Sequence, residues 1–264
     1  MTKKRYWSRI YVIFIFLVMY LPILYLLIFS FNDAGNMQSF TGFTWRYYEQ
    51  MFQDKRLLMI VLQTFLVAFL SSILATIIGV SGALYIDMVR RRYHKDLLLN
   101  LNNVLMVSPD VIIGASFLIL FTAIGAKLGF LTVLLSHMAF SIPIVVLMVL
   151  PKIQEMPQSM IDAALDLGAT PRNILHKIAL PYLSPAIIMS YFMAFTYSLD
   201  DFAVTFFVTG NGFTTLSVEI YSRARQGISL EINALSAVLF LVSLLLVIGY
   251  YLMNRETTAQ RRIK

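Results

Sequence analysis

Apolar residues fall along this chain in six long runs, at residues 10–31, 59–86, 97–124, 130–150, 185–208 and 232–253, with short polar stretches between them. About 20 apolar residues rising ~1.5 Å each span a hydrocarbon core as a helix, so each run predicts one crossing. The expected fold is all-α: a polytopic membrane protein of six transmembrane helices, with residues 1–264 as a single transmembrane domain. The first run follows basic residues, as in a signal peptide, but it is long and lacks a small-residue cleavage site, which predicts a retained first helix.

Charge orients the bundle. If both termini face the cytoplasm, the inner segments hold every one of the 21 Lys and Arg residues except Arg46, Lys55, Arg56, Lys127, Arg223 and Arg225. Arg262 and Lys264 are among those inner charges. The positive-inside rule then fixes the topology and places residues 152–181 in the cytoplasm. The two longer outer segments, 32–58 and 209–231, carry Trp45, Tyr47, Tyr48 and Tyr221, side chains suited to the membrane interface.

Composition narrows the chemistry further. At 59% hydrophobic and 13% charged, the chain has more apolar surface than one small soluble core can hide. The basic residues lie between apolar runs and form no interleaved basic and aromatic surface, so lipid headgroups suit them better than nucleic acid. No cysteine is present, and the three histidines are scattered without ligand spacing, which predicts no metal site.

The cytoplasmic segment contains DAALDLGATPRNILHKIALP at residues 162–181. Pro157 can open a short helix, Gly168 can end it in the left-handed conformation, and Thr170-Pro171 supplies an N-cap followed by proline at the first helical position. The prediction is helix, turn, helix, with Ile161, Ala164, Leu165 and Gly168 near one face of the first helix. Ile174, Leu175 and Ile178 form an apolar patch on the second. By pattern alone, such helices suit either a partner's groove or the inner leaflet. The order Asp162-Ala163-Ala164, then Gly168, then Ile178 and Leu180-Pro181 resembles the EAA signature of bacterial ABC importer permeases, with Asp162 where Glu is usual. The resemblance implies that the loop docks onto a cytoplasmic ATPase.

Acids inside apolar runs are costly, at about 2.5–3.5 kcal/mol for a mid-helix Asp on insertion scales, and tend to face a pathway or partner. Asp110, Asp200 and Asp201 stand out. Taken along straight helices, Asp110 and Asp200 each lie ~20 Å or slightly more from the inner face and share a depth, and Pro109 can break the third helix beside Asp110. Tyr197 lies one turn before the acid pair. Carboxylates beside aromatics attract a small organic cation and repel phosphate or sulfate. Asp110, Tyr197, Asp200 and Asp201, with Glu219 in the outer segment, are therefore the candidate pathway residues. Gln63, Thr64, Ser71, Ser72, Thr76, Asn102, Asn103 and His137 are read instead as hydrogen-bond partners between helices.

Beyond the loop, SLDDF at 198–202, Tyr20-Leu21-Pro22-Ile23 and FSIPIVVLMVLPKIQ at 140–154 look like the C-type permeases of spermidine/putrescine ABC importers. That resemblance implies the type I importer permease fold and a Gram-negative inner-membrane complex. Its other parts would be a second homologous permease, two copies of an ATPase and a periplasmic polyamine-binding protein. No G-x-x-x-x-G-K-[ST] phosphate loop occurs here, so ATP and Mg belong to the partner ATPase and this chain binds no cofactor. No serine-hydrolase motif appears, and adjacent Asp200 and Asp201 cannot converge on one water from a regular helix, so an enzyme is disfavoured. The competing readings are an ion-coupled carrier for small organic cations, which has no use for the cytoplasmic loop, and an ABC permease for another substrate.

Overall fold

The computed structural model describes residues 2–210, 212–227 and 230–261; Arg262 and Lys264, counted above among the inner charges, lie outside the described residues. The elements are α-helices: α1 (Thr2–Phe29), α2 (Arg46–Gln53), α3 (Lys55–Met88), α4 (Arg92–Val107), α5 (Asp110–Ala123), α6 (Phe130–Gln154), α7 (Gln158–Asp166), α8 (Pro171–Ile174), a π-helical turn at Leu175–Ala179, α9 (Leu180–Asp200), α10 (Ala203–Val208), α11 (Leu216–Gln226) and α12 (Leu230–Arg261). Among the described residues, the only β-type pairings are isolated bridges, Asn32 with Phe43 and Gly210 with Phe213.

Segments Trp7–Phe29, Lys55–Met88, Phe130–Gln154 and Pro171–Asp200 are each long and apolar enough to cross a membrane, and Leu230–Leu245 is a shorter apolar helix within α12. These carry five of the predicted runs. The run at 97–124 departs from a straight crossing: α4 and α5 meet at an angle of 104°. Ser108 and Pro109 make the break, because proline lacks an N–H and its ring crowds the preceding turn. The predicted run at 185–208 also divides, ending as α9 at Asp200 and resuming as α10.

The chain packs as two units, Met1–Leu58 with Ile220–Lys264, and Met59–Glu219. In the first, α12 packs on α1 and α2. Buried Asn32 organises the following loop, its amide donating to the carbonyls of Asn36 and Ser39 at 2.7 Å each while its Oδ1 accepts from the Thr41 N–H at 3.0 Å. The rings of Phe31, Phe43 and Tyr48 stack about this loop, with centroids 5.0 and 4.9 Å from Phe31. Asp54 accepts from the Leu57 N–H at 2.9 Å at the start of α3 and pairs with Arg223 at 2.9 Å; Arg223 also reaches Glu231 at 3.0 Å.

In the second unit α6 is the central element, packing on α9, α4, α5 and α10. Val80, Ala83, Val145, Val149 and Leu183 form one buried cluster. Ile113, Phe121, Val133, Phe140, Val204 and Val208 form another. Close approach of α3 and α6 depends on Gly79: a Cβ there would lie 2.6 Å from the Val145 Cβ.

Candidate functional site

Both helix breaks in the second unit carry the intramembrane acids. Asp110 is the first residue of α5, immediately after Pro109, and Asp200 and Asp201 are the last residue of α9 and the residue that follows it. The structure separates the adjacent pair. Asp200 is exposed. Asp201 turns toward α10, where its Oδ1 accepts from the Val204 N–H at 3.2 Å and its Oδ2 accepts from the Thr205 N–H at 2.8 Å and the Thr205 hydroxyl at 2.7 Å. Those donors are orphaned at a helix start, so an acceptor two residues ahead of Ala203 satisfies them.

A buried polar chain holds this joint. His137, fully buried on α6, places Nδ1 2.6 Å from the Ser198 hydroxyl of α9 and Nε2 2.8 Å from the Thr205 hydroxyl of α10. Ser198 in turn lies 3.1 Å from the hydroxyl of Ser71 on α3. A carboxylate only accepts, so the Thr205 hydroxyl donates to Asp201 and must itself accept from His137 Nε2–H. The same Nε2 lies 3.4 Å from Asp201 Oδ2. His137 and Ser71 thus join helices, as the sequence suggested, and Thr64 accepts at 2.8 Å from the Leu216 N–H.

Asp110 and Tyr197 are brought together from different helices, the phenol donating to the Asp110 carboxylate at 3.1 Å. This contact sets them at one level. The 104° bend removes the straight-helix basis for placing Asp110 and Asp200 at one depth, and the hydrogen bond brings Asp110 level with Tyr197. Phe140 stands edge-on to Tyr197, with centroids 5.0 Å apart. Asp110 is exposed and Tyr197 is 37% exposed. Among the described residues no basic side chain lies against Asp110 or Asp200. Glu219, by contrast, is buried in α11.

In the cytoplasmic loop Pro157 precedes α7, Gly168 adopts φ +74°, and the Thr170 hydroxyl accepts from the Asn173 N–H at 3.4 Å ahead of Pro171. Asp162 accepts from the Gln158 amide at 3.2 Å and stays exposed, as does Ala163, whereas Ala164 is buried against its own chain. The second loop helix does not stop at Leu180-Pro181. Pro181 has no N–H for the Lys177 carbonyl, and the π turn absorbs the mismatch, the Leu180 N–H bonding the carbonyl of Leu175 five residues back. The helix therefore runs on from Pro171 through Ile178 to Asp200. Sequence reasoning also passed over Leu167, which is 89% exposed beside Gly168; its apolar side chain in a polar turn was the available signal.

The family model described as binding-protein-dependent transport system inner membrane component matches residues 73–257. The spermidine/putrescine transport system permease protein PotC of Haemophilus influenzae is 35% identical over 243 residues, which cover 92% of this chain and 94% of that one. The putrescine transport system permease protein PotI of Escherichia coli is 34% identical over 256 residues, 94% of this chain and 91% of that one. A solved bacterial ABC transporter involved in the import of the acidic polysaccharide alginate has a chain that matches with a TM-score of 0.73 at 15% identity, covering 96% of each. At that identity the likeness carries the fold alone, and the fold is the type I importer permease expected from the sequence. With a match that runs from the middle of α3 into α12, this multi-pass chain is a transport subunit rather than an enzyme, and it belongs to the family of binding-protein-dependent transport system inner membrane components.

Proposed function

We propose that this chain is one of two permeases of an ATP-driven importer that carries polyamines such as spermidine and putrescine into the cytoplasm. The observation that carries the reading is a single helix. From Pro171 it rises without interruption to Tyr197 and Asp200, so a push at the loop moves the candidate ligand groups directly. Asp110 offers a carboxylate beside the Tyr197 and Phe140 rings, and exposed Asp200 follows one turn beyond Tyr197; among the described residues neither acid has a basic partner, which suits an ammonium by charge and cation–π attraction. The names of relatives similar over nearly their whole length support the substrate.

In this reading the loop at 152–181 faces the cytoplasm, as do both termini. Asp162, Ala163, Ala164, Gly168, Ile178, Leu180 and Pro181 form or shape the ATPase contact, and exposed Leu167 adds an apolar knob to it. Two ATPase copies bind ATP and Mg, this chain holds no cofactor of its own, and a periplasmic polyamine-binding protein delivers substrate. ATPase closure swings the α8–α9 helix, and the pathway switches the side it faces. Asp110, Tyr197 and Asp200 meet the substrate. Asp201 acts through the joint, and Glu219 belongs to the outer part of the path.

The test is spermidine uptake into vesicles holding this chain, its partner permease, the ATPase and the binding protein, at fixed membrane potential. Uptake requiring ATP and every component is expected. Uptake driven by an ion gradient without the ATPase would replace this reading with the ion-coupled carrier, and uptake of a different solute alone would replace the substrate.

A further inference from the structure

Between α4, α6 and α9 lies a hollow of about 370 Å³, within the usual size range of small-ligand sites. Leu105, Met106, Ile144, Met148 and Met193 line it, and the Tyr197 ring forms one wall. Its one polar side-chain atom is the Tyr197 hydroxyl, and that hydroxyl points its proton at Asp110. Through that hydrogen bond the apolar trough adjoins Asp110, a carboxylate beyond its lining that has no basic partner among the described residues. Methionines suit a trough that must fit flexible chains, being long, unbranched and polarizable.

We infer that this hollow is a binding site for the methylene segment of a linear alkylammonium whose charged end sits on Asp110. The proposal rests on the polyamine reading and adds a subsite to it. Lipid tails would suit the trough, but a tail has no use for the carboxylate that the Tyr197 hydroxyl reaches. A diamine can satisfy Asp110 with one ammonium only. Its second ammonium must find another acid, and the hollow ranks chains by length rather than by charge count. Each methylene buried adds about fourfold in affinity (about 0.8 kcal/mol) until the trough is full.

The experiment uses the complete transporter in vesicles with saturating loaded binding protein, and measures inhibition of putrescine uptake by n-alkylammonium ions from two to eight carbons. Longer amines also enrich in the bilayer, so the diagnostic is the change in slope between parent and variant. Met148→Trp and Met193→Trp fill the trough and should flatten the length dependence in the complexes that assemble. Met193→Ala enlarges it and should move the plateau to longer chains, which keeps the test decisive if a tryptophan variant fails to assemble. Alcohols of equal length should not inhibit. Parallel slopes in parent and variants would overturn the subsite and assign the trough to lipid, while the polyamine reading would stand. Absence of putrescine uptake in the parent would remove the polyamine reading, and the subsite with it.

Discussion

His137 and Ser198 stand 61 positions apart in the chain and 2.6 Å apart in space, and this contact fixes the end of α9 against α6. On the other side of the same ring lies Thr205, in the first turn of α10. One imidazole therefore fastens both sides of the helix break. His137→Leu removes one partner from each of the buried Ser198 and Thr205 hydroxyls, which keep Ser71 and Asp201, so the cost is that of two lost hydrogen bonds, about 0.5–1.5 kcal/mol each. The variant should show a clearly lowered thermal midpoint after purification. His137→Gln, which keeps a donor and an acceptor, should recover part of the loss. A parent-like midpoint for His137→Leu would mean that the chain contributes little.

The two aspartates at that break should separate under mutation. Asp201 accepts three hydrogen bonds at the start of α10, and an amide in its place turns a donor toward donors. Asp201→Asn should therefore reduce the yield of folded complex by more than Asp200→Asn does. Asp200 is exposed, so Asp200→Asn should assemble normally and lose uptake several-fold. Assembly measured by co-purification, beside polyamine uptake per assembled complex, checks both halves. Equal assembly and equal transport in the two variants would undo the distinction.

Local chemistry was readable in advance, and three-dimensional choice was not. Pro157, Gly168 and Thr170-Pro171 act within a turn of themselves, so the loop's two helices were visible from the sequence alone. Pro109 announced a break, but the 104° bend depends on how α5 packs against α10. No proline or glycine marks the break after Asp200. His137, Ser71 and Thr205 stabilise it, and Ser71 lies 127 positions from Ser198, so the sequence could nominate both acids and not choose between them. The sequence did not show the π turn before Pro181, where a single missing N–H is absorbed by a shift of one residue in the hydrogen-bond register.

In the first unit, the pH dependence of stability should respond to Asp54. Partial burial would raise its pKa, but the Leu57 N–H and the Arg223 guanidinium outweigh that effect and hold it below the ordinary 3.8. A folded-state pKa below the unfolded value adds stability above the unfolded pKa, and that stability is lost as pH falls through the folded value. The parent should therefore exceed Asp54→Asn in thermal midpoint at neutral pH. The gap should close as the pH drops below about 3.8. An unchanging gap across the acid range would show that Asp54 acts through its hydrogen bonds alone and not through its charge.

Two glycines one turn apart on α3 should behave oppositely. A Cβ at Gly79 would lie 2.6 Å from the Val145 Cβ and 3.2 Å from the Ile142 carbonyl oxygen, whereas at Gly82 the nearest atom would be the Val146 Cγ2 at an ordinary 3.8 Å. Alanine gains about 0.8–1 kcal/mol of helix propensity over glycine at either position. At Gly79 the clash involves Cβ and backbone atoms of α6, which cannot move without separating the helices, and overpacking of this kind costs about 1–3 kcal/mol. Gly79→Ala should therefore lower the denaturation midpoint and Gly82→Ala should raise it slightly. Measuring the two side by side separates packing from propensity, since propensity alone would stabilise both. If Gly79→Ala were as stable as Gly82→Ala, the approach of α3 to α6 at Val145 would have to be looser than described.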